Sequence, residues 1–450
     1  MNLEIAAAGD LQAEQQNLQN LAEDLLARAR AAGASQSEVA VGTGSGLSVQ
    51  VRKGEVETVE HTRDRSLDLT VYFGQRKGTA SSADFSPSSI AATLEQACAI
   101  ARYTEVDPCN GLADAERMAT EFPDLDLWHP WSLDVEAAIA LGRRIEAAGL
   151  AVKGVDNSEG ATVDSGQGQS VYANSHGFTG SRRGTRHSLS CSMIARDAQG
   201  MQRDYWYDSK RAADELMPAD EIGTRAGERS VSRLGARSLS TRKCAVMFTP
   251  EVARGLIGHL LSAASGGALY RQASFLLDKA GEQIFPSWFN ITEQPRIRGG
   301  QASTNYDAEG VATVESPLIQ SGVLTRYILG SYSARKLGLE TTANAGGVHN
   351  IVVGHGEDDF DGLLKRMGTG LLVTELMGQG VSVVTGDYSR GAAGFWVENG
   401  AIAYPVEGVT IAANLRDMFA NLVAVGADVD PRSHILTGSA LLESMTIAGE

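Results

Sequence analysis

The run Thr385-Gly-Asp-Tyr-Ser-Arg-Gly-Ala-Ala-Gly-Phe-Trp-Val-Glu-Asn-Gly400 sets a carboxylate, a hydroxyl and a guanidinium (Asp387, Ser389, Arg390) among glycines 386, 391 and 394. Glycine lets the backbone take positive φ or approach another chain closely, so the pattern predicts a strand at 381–385, a polar loop and a second strand at 395–397. Asn399-Gly400 then suits a two-residue type I′ turn into 401–404. Polar side chains displayed at one end of a sheet can bind a polar substrate; they can equally serve as a plain connector.

Metal and nucleophile chemistry find less support. His349 and His355 flank an expected strand at 351–353, which places them at its opposite ends. Glu357, Asp358, Asp359 and Asp361 surround an expected helix start, where carboxylates cap free N–H groups, and the EF-hand spacing is absent. Cys98, Cys109, Cys191 and Cys244 lie far apart with no CxxC pair, as expected of reduced, mostly buried thiols in a cytoplasmic protein. Gly42-Thr-Gly-Ser-Gly46 is neither GxGxxG nor followed by a helix, and neither a phosphate-binding GxxxxGK[ST] loop nor a GxSxG elbow occurs.

The elements that would position these groups read as α+β. A helix is expected at 15–32, where Leu18, Leu21, Leu25 and Leu26 share a face. Short alternating strands follow at 38–41, 47–52, 56–61, 66–73 and 78–81, then a helix at 88–103 opened by Ser86-Pro87. Residues 110–132 read as a linker, with Trp128 and Trp131 packing it onto a neighbour. A helix at 134–148 leads to a strand-rich block at 152–207, with a turn at Asn174-Ser-His-Gly177. Helix is expected again at 219–238, where Arg225, Arg229, Arg233 and Arg237 stand about one turn apart; either an anion or partner site or a solvated face paired with acids fits that spacing. A strand at 244–248 and a helix from Pro250 to about residue 264 open a glycine-rich region, barrel-like or sandwich, with further helices at 332–337, 360–367 and 415–425. The organisation expected is an N-terminal α+β domain (1–112), a middle segment packed with it (113–240) and a β-rich domain (241–450).

Composition narrows the function classes. The 450 residues carry 50 glycines, well above the usual share of about 7% and consistent with many tight turns. A net charge of −16 opposes direct nucleic-acid binding. No apolar run reaches the roughly 20 residues that span a bilayer, and residues 1–16 show no signal-peptide pattern, so a cytoplasmic location is expected.

The helix after Pro250 contains Arg254-Gly-Leu-Ile-Gly-His259, and Gly258-His-Leu-Leu-Ser-Ala-Ala-Ser-Gly-Gly267 continues it. With Asn305-Tyr-Asp-Ala-Glu-Gly310, Gly322-Val-Leu, Ser331-Tyr-Ser-Ala-Arg335 and the run from Thr385, these stretches resemble the TldD/PmbA family, within it the PmbA (TldE) branch, over nearly the whole chain. In the TldD branch the helix carries HExxxH, whose histidines bind zinc while the glutamate activates water; a later cysteine completes the site. Laid against that pattern, this chain keeps His259, with Arg254 and Gly255 in place of the first histidine and the glutamate, and no cysteine follows Cys244.

The resemblance therefore implies no catalytic residue, metal ligand or cofactor in this chain. It implies instead a cytoplasmic heterodimer with a zinc-bearing TldD-type HExxxH paralogue, which degrades unstructured peptides and trims leader peptides. Asp307, Glu309, Gly310, Asp387, Ser389, Arg390 and Gly391 become candidates for lining the chamber or meeting the partner; a turn or a satisfied salt bridge accounts for them equally. The competing readings are a self-sufficient peptidase built around His259, a homodimeric peptide-binding protein, and a non-enzymatic regulator, the family having been described as a gyrase modulator.

Overall fold

The computed structural model describes residues 8–198 and 200–449; the expectation for residues 1–7 lies outside them. The first part contains α1 (Ala8–Ala31), β1 (Gln36–Arg52), β2 (Glu55–Phe73), β3 (Arg76–Ser82), α2 (Pro87–Tyr103), α3 (Val135–Leu150), β4 (Val155–Asn174), β5 (Thr179–Arg196), β6 (Met201–Lys210) and α4 (Ala219–Ser232). The second contains β7 (Arg242–Phe248), α5 (Pro250–Ala263), α6 (Gly266–Tyr270), β8 (Ile291–Glu293), β9 (Ser316–Gln320), β10 (Val323–Leu324), α7 (Ser331–Leu337) and β11 (Ile351–Val353). It ends with α8 (Phe360–Met367), β12 (Gly370–Met377), β13 (Asp387–Glu398), β14 (Ala401–Asn414), α9 (Leu415–Ala420), β15 (Leu422–Val425), β16 (Ile435–Leu436) and β17 (Ala440–Ala448).

β1 to β6 form one antiparallel sheet in the order β3-β2-β1-β4-β5-β6. Its apolar positions keep one phase: Val39, Val41, Leu47, Val49 and Val51 alternate along β1 and all are buried. The helices consequently cover that face, α1 and α2 over one half and α3 and α4 over the other. Local signals set their ends. Ser86 caps α2 by accepting from the Ser89 N–H with Pro87 at the first turn, and Asp134 caps α3 by accepting from Ala137. Trp131 packs edge-on to His187, and Arg183 lies over Trp128, so both tryptophans do fasten residues 110–132 to the sheet.

β7, β12, β13, β14 and β17 close on themselves, in the order β14-β13-β12-β7-β17 with β17 returning to β14. The closed barrel settles the expectation of a barrel or sandwich. A smaller sheet, β10-β9-β8-β11-β16, lies beside it. A single large core joins Val246 and Phe248 of β7 and Leu256 and Leu260 of α5 to Phe289, Ile351, Ile411 and Phe419.

Four local expectations need correction. The helix expected at 219–238 stops at Ser232, and Arg237 instead bridges to Val406 of β14. The strands expected at 38–41 and 47–52 are one strand, as are 56–61 and 66–73. Gly42 to Gly46 lies mid-strand, with Gly44, Gly168 and Gly184 facing one another across β1, β4 and β5. Residues 381–385 are a turn and 387–398 a continuous strand, because small residues at 391–394 let β13 lie against β12: a Cβ on Gly394 would stand 1.9 Å from the Leu372 carbonyl oxygen. The helix expected at 415–425 stops at Ala420, and residues 422–425 pair with β17 instead. The Asn399-Gly400 turn does carry positive φ at both residues, 51° and 74°, as a type I′ hairpin requires.

Candidate functional site

Pro250 starts α5 immediately after β7, and Val252, Ala253, Leu256, Ile257, Leu260 and Leu261 turn into the core. Glu251, Arg254, Gly255, Gly258 and His259 are left on the half-buried side. β13 faces that side. Tyr388, Arg390 and Ala392 share one face of this strand, whereas Asp387 and Ser389 are exposed.

Between α5, the start of β13, β12, and the β6–α4 edge of the large sheet lies a cleft of about 330 Å³. Arg203, Arg229, Arg233, Arg254 and Arg390 line it together with Asp204, Glu251 and Glu375. Most of these charges are paired. Asp204 accepts from Arg229 at 3.1 Å and Arg233 at 3.5 Å, and Arg233 reaches Glu375 at 2.5 Å. Arg254 donates from both Nη atoms to the Tyr207 hydroxyl at 3.2 Å and stands 3.6 Å from Asp430. Arg432 bonds Asp430 and Glu251 at 2.8 Å and the Tyr207 carbonyl at 2.9 Å. Burial pushes the Asp430 carboxyl up, but the Arg432 hydrogen bonds and the neighbouring guanidiniums outweigh it and hold the group below its ordinary range.

Arg390 differs: it hydrogen-bonds the Tyr388 hydroxyl, but among the described residues it has no acidic partner, and its buried Nε finds no acceptor. His259 lies beside it, edge-on to Tyr388 with ring centroids 5.9 Å apart, and its buried Nε2 is likewise unpartnered. Burial first, then the Arg390 charge, lowers the His259 pKa, so the imidazole is neutral at neutral pH. This end of the cleft thus presents two guanidiniums, Arg254 and Arg390, with the buried His259 imidazole beside Arg390 but outside the lining. Guanidinium donates hydrogen bonds and has no lone pair for a metal. Among the described residues no group of three or more His, Cys, Asp or Glu side chains stands together as a metal ion would need. A Cβ on Gly255 would meet nothing within 4 Å, so packing does not demand glycine there.

The remaining candidates lie elsewhere. Asp387 bonds Thr385 at 2.6 Å and Asn414 at 3.3 Å, while the Ser389 N–H donates to Gly380 at 2.7 Å. Gly391 pairs with Met377 across the barrel seam. Asp307 is buried and accepts from Glu309, Val311 and Ala345 N–H groups at 2.9 to 3.0 Å, pinning a tight turn. Burial and the Glu309 charge push its carboxyl up to about 6. Glu309 accepts from the Ser331 N–H at 2.9 Å, and Gly310, at φ +84°, packs on Phe178 and Met118. Of the seven candidates, only Arg390 joins Arg254 and Gly255 in lining the cleft. Sequence alone does not single out Arg203, Tyr207 and Arg432; for Arg229 and Arg233 it shows the spacing but not their place.

Three models of the PmbA/TldA metallopeptidase family match the chain, domain 1 at residues 37–101, the central domain at 128–234 and the C-terminal domain at 241–449. The chain belongs to this family. It is 52% identical to Metalloprotease PmbA of Escherichia coli O157:H7 over 404 residues, 90% of each chain. A crystal structure from Bacteroides thetaiotaomicron, described as a candidate modulator of DNA gyrase, superposes with a TM-score of 0.91 at 27% identity, covering 96% of this chain and 99% of that one. TldE from Thermococcus kodakarensis shares the fold, with a TM-score of 0.83 at 20% identity over 95% of this chain and all of that one.

Proposed function

We propose that this chain is the PmbA/TldE-type subunit of a cytoplasmic two-chain zinc metallopeptidase, and that a TldD-type partner bearing HExxxH holds the metal. The observation that carries the reading is the donor set on α5. Arg254 and Gly255 stand where a zinc ligand and a general base would be needed, and His259 alone remains. A catalytic zinc takes about three protein ligands and an open position for water. This subunit then contributes chamber walls and an interface, and the assembly degrades unstructured peptides and trims leader sequences. An extended peptide adding to a sheet edge would suit such a task, since main-chain hydrogen bonds are indifferent to sequence.

Affinity capture of the tagged chain from its native cells is expected to bring down an HExxxH-containing relative in stoichiometric amount. Recovery of the chain alone under gentle, low-salt conditions would count against the proposal. The net charge of −16 disfavours a regulator acting directly on DNA.

A further inference from the structure

We propose that the cleft beside α5 is a carboxylate-binding site for peptides, with Arg390 as its anchor. Five arginines and three carboxylates line the cleft, and one of those carboxylates, Glu251, is already bonded to Arg432. Arg203 is likewise bonded to Glu159 and Arg254 stands beside Asp430, so among the described residues Arg390 is the one lining guanidinium without a carboxylate, a local positive charge on a chain whose overall charge is strongly negative. Electropositive walls beside a low-dielectric core concentrate anions locally.

Arg390 supplies the specific contact. Its neighbours in the cleft, Arg233 and Arg254, are fixed by Asp204, Glu375, Tyr207 and Asp430. Arg390 is held by the strand and left without an anion among the described residues, with the buried Nε still lacking an acceptor. The parallel Nη–H donors of a guanidinium match the two oxygens of a carboxylate. Tyr205, 55% exposed and stacked on Tyr207, provides an aromatic wall for the residue that carries the carboxylate. The same carboxylate chemistry comes from a peptide C-terminus or from an Asp or Glu side chain. The site does not depend on the partner subunit; its absence would leave the subunit reading intact, and the reverse also holds.

The test uses the full chain and isothermal titration with three unstructured peptides of one parent sequence. The first has a free C-terminus and no acidic residue; the second is its C-terminal amide; the third is the amide with one internal Glu. Binding of the first or third about tenfold or more tighter than the neutral amide supports the site, and which of them binds identifies the source of the carboxylate. Arg390→Gln is expected to erase that preference, whereas Arg225→Gln, on the exposed Glu221 pair, leaves it in place. Should Arg390→Gln fail to fold, Arg390→Lys keeps the charge without the fork and is expected to retain only part of the preference. Equal binding of all three peptides, or a preference that survives loss of Arg390, overturns the proposal.

Discussion

Arg254 of α5 donates from both Nη atoms to the hydroxyl of Tyr207 on β6. Arg254 therefore ties the barrel half of the molecule to the edge strand of the large sheet. Arg432 bonds the carbonyl of the same tyrosine and shares Asp430 with Arg254.

Arg254→Met tests that role. It removes two hydrogen bonds across the junction, while Asp430 keeps Arg432. The expected cost is about 1–2 kcal/mol, read as a lower urea midpoint with unchanged slope. A variant as stable as the parent would show that the junction is held elsewhere.

Two glycines should respond oppositely to alanine. A Cβ on Gly394 would collide with the Leu372 carbonyl oxygen at 1.9 Å, so Gly394→Ala forces β13 off β12. A loss of roughly 2–4 kcal/mol is expected, or failure to accumulate as soluble protein. Gly255 sits in a helix, and a methyl group added there would have nothing within 4 Å, so Gly255→Ala should raise stability by up to about 1 kcal/mol. Thermal melts of the two variants suffice.

Stability at low pH should depend on Glu293. Burial opposes ionisation of this 2% exposed carboxylate, but hydrogen bonds from His349 and the Arg326 charge overcome it and hold its pKa at about 2, against an ordinary 4.5. Since the folded value is depressed, its contribution is present above pH 4.5 and is lost as pH falls through about 2. The linkage amounts to roughly 3 kcal/mol. In Glu293→Gln the acid-induced fall over that window should flatten, and stability at neutral pH should drop because Arg326 loses its partner. An unchanged acid profile would show that the pair contributes nothing.

How much of this is legible in the sequence depends on how local each cause is. Ser86, Asp134 and Asp359 cap helices through bonds to residues three positions away, so their pattern is written in adjacent residues. Asn399-Gly400 likewise declares its turn. The first half of β13 reads as a loop because glycines 391 and 394 break the apolar alternation; the reason for them, close approach of β12, lies in another segment. Arg225 pairs with Glu221 on its own helix, as a solvated face would. Arg229 and Arg233 look the same in sequence, yet they reach Asp204 on β6 and Glu375 on β12. Arg254, Gly255 and His259 can be read directly, but the placing of Arg390 beside them without an acidic partner depends on a barrel closure that no local pattern announces.

The most direct test of the subunit reading is metal analysis coupled to a peptide-degradation assay, on the isolated chain and on the same chain mixed with an HExxxH-bearing relative from the same cell. The isolated chain is expected to hold no stoichiometric zinc and to cleave no unstructured peptide. The mixture should do both, losing cleavage to a chelator. Zinc and cleavage in the isolated chain, both abolished by His259→Ala, would contradict the account.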